Sequence, residues 1–234
     1  MKSKKNLFVI IVTFSLSICL IISIGVRLSI SKFEYNDIFN LSNTMTYYPY
    51  TEIEYSSGSF KDVSSVKDTN SLYKFIVKGK TTSHREVLSG AVLTEITVLD
   101  VLKGNIDSKN IYIYEPIAIH NNNNVAMLST FEGYNFIKDD KTYIFCLNEL
   151  EKKYYNIYTK GKKNIFMYST PFYGKFPLKY NSNDFAIIDE KEFTTEPFKI
   201  YKNFINYEQI FSSPRAKNKY FEEYNRLIKL AKQK

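Results

Sequence analysis

A mainly β (α+β) fold is predicted by this sequence: a barrel of five or six strands between an N-terminal transmembrane helix and a C-terminal amphipathic helix. Three observations predict it. Residues 7–26 carry no charge, residues 72–168 break into short runs of alternating apolar and polar text, and residues 214–232 space their apolar side chains by three and four. With 234 residues, 44% of them hydrophobic, the chain has enough apolar surface to fold. Two cysteines and two histidines exclude a disulfide scaffold, a Cys-rich zinc module and a multi-histidine metal centre, and no cofactor is expected.

The apolar run comes first. Twenty residues at ~1.5 Å each span about 30 Å, the thickness of a bilayer's hydrocarbon core. Lys2, Lys4 and Lys5 precede the run, and Arg27 and Lys32 follow it, so the positive-inside bias favours a cytoplasmic N-terminus and an extracytoplasmic body. A retained single-pass anchor fits the length best. The alternatives are cleavage near Gly25, after the small residues Ser23 and Gly25, which yields a secreted body, and lipidation at Cys19 in LSIC (16–19). A Cys19 inside the membrane excludes a bridge to Cys146, which lies in the apolar run YIFCL (143–147) and reads as a buried, inert thiol.

Residues 27–59 lack sustained periodicity and read as a stalk. Phe60, Val63 and Val66 recur at helical spacing. Strands are expected over 72–80, 87–102, 111–116, 141–147, 154–158 and 165–168, with Thr81 to Glu86 as a hairpin-like loop holding His84. The alternation shifts phase at Asp100-Val101, as a β-bulge would make it. Pro116 is expected to end its strand, and a loop over Ile117 to Glu132 to follow, with four asparagines at 121–124 and His120 beside them. Ser213 and Pro214 open the last helix, with Phe221, Tyr224, Ile228 and Ala231 as its stripe. The expected organisation is therefore 1–26 flank and anchor, 27–59 stalk, 60–170 barrel, and 171–234 a loop-rich extension ending in helix 214–232.

The succession FIVKGK (75–80), TEITVLDVLKG (94–104), IYIYEP (111–116) and KTYIFCL (141–147) resembles OB-like β-barrel modules of exported bacterial lipoproteins and membrane-anchored proteins. The likeness covers about 80 residues, roughly a third of the chain, and implies a fold and an extracytoplasmic setting. It carries over no catalytic residue.

No phosphate loop, dinucleotide fingerprint, zincin helix, hydrolase elbow or CxxC pair occurs. Glu95, Asp100, Glu115 and Asp139 are conceivable members of a carboxylate pair for glycoside hydrolysis, but no spacing forces two together. A non-catalytic binding or interaction module is therefore the first reading. A hydrolase using carboxylates, or an immunity or inhibitor protein for an exported partner, is the alternative. Tyr112 and Tyr114 share one face of their strand and are the candidate ligand-binding residues, with Tyr154, Tyr155 and Tyr158 a second group. Beyond Val26 the 29 basic and 24 acidic residues are interspersed, which suits a cell-wall polymer, a glycan or a protein partner and disfavours nucleic acid.

Overall fold

A computed structural model describes residues 12–20, 22–23, 35–49, 69–88, 90–122, 125–151, 161–189, 191–195 and 199–233. The chain falls into two units, Met1–Phe33 and Glu34–Lys234. In the first, residues 12–20, 22 and 23 are helical, with Phe14, Leu16, Leu20 and Ile22 exposed. Among the described residues no helix is long and apolar enough to cross a membrane. The remainder of the 7–26 run, and so the expected transmembrane helix as a whole, lies outside them. So do the helix expected at Phe60–Val66 and the strand at 154–158 with its three tyrosines.

The second unit is built on a closed ring of five strands. These are β2 (Phe75–Leu88), β3 (Ala91–Lys103), β4 (Asn110–Asn122), β6 (Thr142–Glu149) and β7 (Ile165–Tyr168). β2 pairs antiparallel with β3 and β6, β3 with β4, and β6 with β7; the parallel pair β4–β7 closes the ring. Residues 111, 113, 115, 117 and 119 of β4 are buried while 110, 112, 114, 116 and 118 are half-exposed, so one face of the strand lines the interior. The expected phase shift is present: the β2–β3 register skips Leu99 and Leu102.

Two stretches expected as loops are strand. Thr81 to Glu86 continues β2, because a bulge breaks its alternation without breaking its pairing: Thr81 faces Ile96, Arg85 faces Thr94, and residues 82–84 stand opposite Glu95 alone. Pro116 does not end β4. It is unpaired in both registers, falling where β4 exchanges β3 for β5 (Val125–Thr130), so its missing N–H costs no ladder bond. The asparagines at 121 and 122 pair with β5.

Part of the expected stalk also packs into this unit. Helix α1 (Tyr35–Asn40) buries Ile38, and β1 (Thr46–Tyr48) runs parallel to β5. Beyond residue 170, β8 (Lys175–Pro177) adds to β6, and β9 (Phe185–Ile187) pairs with β10 (Gln209–Phe211). Helix α2 (Lys191–Thr195) lies between them in sequence. The last helix, α3 (Pro214–Gln233), is capped as expected: the Ala216 N–H donates to Ser213 Oγ at 3.2 Å.

β6 is buried on both faces. Ile144 and Cys146 pack with Phe176, Phe185 and Phe211 against Tyr220, Tyr224 and Leu227 of α3, and Tyr220 stacks on Phe176 with ring centroids 4.7 Å apart. The sequence's wealth of Tyr and Phe fills this layer. Cys146 is fully buried, and burial pushes its thiol well above the ordinary value, so it is unreactive.

Gly133 holds the 131–141 segment against β10. Its φ is +71°, its N–H donates to Pro49 O, its carbonyl accepts from Ile210 N–H, and a Cβ there would lie 1.8 Å from the Ile210 carbonyl oxygen. Gly133→Ala is expected to cost about 3 kcal/mol or more, since left-handed strain of 1–3 kcal/mol adds to a backbone clash. Gly161, with φ +79° and open space around it, is the control, expected to cost about 1 kcal/mol as Ala. Denaturant unfolding of both variants measures the difference.

Candidate functional site

On the outer face of β3 and β4 the bulge of β2 wraps one carboxylate. Ser83 takes φ +67°, and its N–H donates to Thr81 Oγ1, turning Thr82 and His84 towards Glu95. Thr82 Oγ1 donates to Glu95 Oε2 at 2.9 Å; Tyr112 O–H and Asn110 Nδ2 donate to Glu95 Oε1 at 3.2 and 3.3 Å. His84, half-exposed, places Nδ1 3.6 Å from Glu95 and Nε2 3.6 Å from Glu86. Lys162 bonds Glu86 at 2.7 Å and lies 4.7 Å over the Tyr112 ring. The Glu86 carboxylate holds the Lys162 ammonium above its usual pKa, and burial together with Glu95 raises the Tyr112 hydroxyl, which stays a donor. A non-glycine residue in the left-handed region beside a bulge is a built feature, the kind that aims side chains at a site.

Tyr112 and Tyr114 do share this outward face, opposite the buried Ile111, Ile113 and Glu115. They differ in surroundings. Tyr112 is tied into the polar half through Glu95 and Lys162, so its ring is not bare. Tyr114 faces Leu93 and Met167 across its strand pairs and packs with Leu88, Leu93 and Ile165. Tyr112 packs against the same three buried residues, so both rings share one apolar floor, with the polar groups of Glu95 and Lys162 at Tyr112.

Inside, the barrel carries a chain of paired charges. Arg85, Thr94 and Glu115 stand side by side on β2, β3 and β4, all buried. Glu115 accepts from Tyr134 O–H at 2.8 Å, from the Ile137 N–H at 3.0 Å and from Thr94 Oγ1. Arg85 lies 3.8 Å from Glu115, donates to Ile137 O, meets Asp139 at 2.5 Å, and sits under the Tyr35 ring. Burial works against its charge, but Glu115, Tyr35 and Asp139 more than offset this. Behind Tyr134 lies a second group. Lys175 is 5.1 Å from the rings of Tyr134 and Tyr143 and 2.8 Å from Glu208, which also pairs with Lys141 and accepts from Tyr143 O–H. Lys138 donates to Ile205 O; burial and the nearby Lys175 lower its pKa to about 8.

The ring of five strands is compatible with an OB-like fold. No family model, curated protein or solved structure matches the chain. Function must therefore be argued from the site.

The four candidate carboxylates go to three environments. Asp100 is exposed on β3, Glu95 organises the outer face, and Glu115 and Asp139 converge on the one Arg85 guanidinium. The side chain of Glu115 is 0% exposed and its acceptors are occupied, so it cannot touch a substrate. Among the described residues no group of His, Cys, Asp and Glu could hold a metal ion. His120 pairs with Met127 in the β4–β5 ladder. Sequence reading missed Arg85, Lys175 and Glu208 as buried charges. Only Glu115 carried a signal, since it continues the Ile111, Ile113 alternation.

Proposed function

We propose that this chain is a single-pass, N-in membrane protein, related in design to OB-like modules of exported proteins. Its barrel lies outside the cell and binds a glycan strand, such as a cell-wall polymer, through the outer face of β3 and β4 without catalysis. The observation that carries the reading is the cluster around Glu95: β3–β4 pairing sets Tyr112 and Asn110 beside it, the bulge at Ser83 turns Thr82 and His84 to it, and Lys162 lies over Tyr112, all on the face where OB-like barrels hold extended ligands. Carboxylate, amide and hydroxyl groups match sugar hydroxyls, and the half-exposed ring of Tyr114 matches a sugar's C–H face. Glu86 and Glu95 beside Lys162 make the face a poor one for nucleic acid.

The anchor is supported by the sequence run at 7–26 and by two serines in it that hide their hydroxyls on the helix: Ser17 Oγ donates to Thr13 O and Ser23 Oγ to Cys19 O. The interior carboxylates, sealed and paired with cations, favour binding over hydrolysis.

The test is calorimetric titration of the full chain in detergent with a hexamer of β-1,4-linked N-acetylglucosamine. Tyr112→Ala, which removes the hydroxyl that holds Glu95 and the ring under Lys162, is expected to weaken binding about tenfold or more. Unchanged affinity in that variant contradicts the reading. Shortening of the oligomer, abolished by Glu95→Gln, identifies a hydrolase instead.

A further inference from the structure

The outward face of α3 is a second surface, separate from the glycan face. From Glu34 to Lys234 there are 27 basic and 24 acidic residues, and the 20 residues of α3 hold six of the basic and two of the acidic ones. The rest of the unit is close to neutral, so its positive charge is concentrated on one helix. Of the two acidic residues, Glu223 is buried and held by Arg226 through two bonds of 2.6 and 2.8 Å, which leaves Glu222 as the exposed one. Arg215, Lys229 and Lys232 are exposed, and Lys217 is half-exposed. Beside them an aromatic rim reaches solvent. Tyr180 is 41% exposed and its ring lies 5.4 Å from that of the half-exposed Phe221, with Lys179 exposed next to Tyr180.

We infer that this face docks on an anionic lipid surface. Lysine and arginine on a helix attract acidic head groups, while tyrosine and phenylalanine at the rim enter the head-group layer. Buried Tyr220, Tyr224 and Leu227 fix the helix to its own domain, so it presents the basic face as a rigid plate instead of inserting whole. Chain length favours this occupant over a soluble partner, an argument that rests on the anchor reading above. Residues 27–34 are the only chain between the apolar run and α1, and eight residues reach at most about 28 Å. A unit of this size is about 40 Å across, so such a tether keeps it within reach of the head groups.

The experiment uses the full chain carrying Cys19→Ser and a fluorophore at Asn225→Cys on the exposed side of α3. The chain is mixed with vesicles of phosphatidylcholine alone, or with about 30% phosphatidylglycerol, each containing a head-group quencher. Flotation with the neutral vesicles reports the anchor; quenching reports docking. Expected is quenching in the acidic vesicles that falls between about 50 and 500 mM salt, and that Lys229→Gln and Lys232→Gln each weaken about fivefold. Flotation with neutral vesicles and equal quenching in both lipids overturns the docking while leaving the anchor. Association with acidic vesicles only overturns the anchor and upholds the docking. Association with neither overturns both.

Discussion

Replacing Glu208 by Leu is expected to cost about 3–5 kcal/mol, the penalty for stranding a buried charge. For a unit of this size that lowers the Tm by about 10 °C. The side chains of Lys175 and Glu208 are 2% and 1% exposed. Without the carboxylate, the Lys175 ammonium keeps only the Phe136 carbonyl at 3.1 Å and two aromatic faces, and the Tyr143 hydroxyl loses its acceptor. The double variant Lys175→Met with Glu208→Leu is expected to recover most of the loss, because no charge is then left buried. The pair also sets the acid limb of stability. Burial alone would raise the Glu208 carboxyl, but Lys175, Lys138 and Lys141 more than offset it and hold it below the usual carboxylate range. A carboxyl with a lowered folded pKa stabilises fully above its unfolded value, near 4.5, and loses that contribution as pH falls through the folded value. The double variant should therefore show a shallower loss of stability below about pH 4.5 in thermal melts across the acid range.

The second large effect is at Glu115. Glu115→Ala removes the acceptor of the Tyr134 hydroxyl, the Ile137 N–H and the Thr94 hydroxyl, and takes one carboxylate from Arg85. About 3–5 kcal/mol is expected. Asp139→Asn removes the other carboxylate from the same guanidinium, yet about 1 kcal/mol or less is expected, since Asp139 is 53% exposed and water replaces it. Urea unfolding of the two variants separates these outcomes. Comparable losses would mean that the inner end of the Arg85 cluster is open to solvent.

Much of the barrel was legible because β-strands advertise a period of two. Ile111, Ile113 and Glu115 keep one phase and YIFCL reads as an apolar strand, whereas Ile117 and Ile119 continue that phase beyond Pro116, where the strand is expected to end. What misled was local punctuation. TTSHRE looks like a loop because its bulge sets three residues opposite one, and the asparagines look like a long loop although two of them sit in the β4–β5 ladder. The candidate face was half legible. Strand alternation put Tyr112 and Tyr114 together, but Glu95 meets Tyr112 only through the β3–β4 pairing, His84 meets Glu95 only through the bulge, and Lys162 reaches Tyr112 from 50 residues along the chain. Lys175 and Glu208 had no sequence signal. Each reads as a surface residue until tertiary packing from β8 and the turn before β10 buries both against Tyr143.

The central claim is that ligand binds the outer face of β3 and β4. Amide chemical shifts of the full chain, recorded while the β-1,4-linked N-acetylglucosamine hexamer is added, test it most directly. The account predicts shifts centred on His84, Glu95, Asn110, Tyr112 and Tyr114, with α3 and the Glu208 cluster unmoved. Shifts confined to other parts of the chain, or none at saturating oligomer, would contradict it.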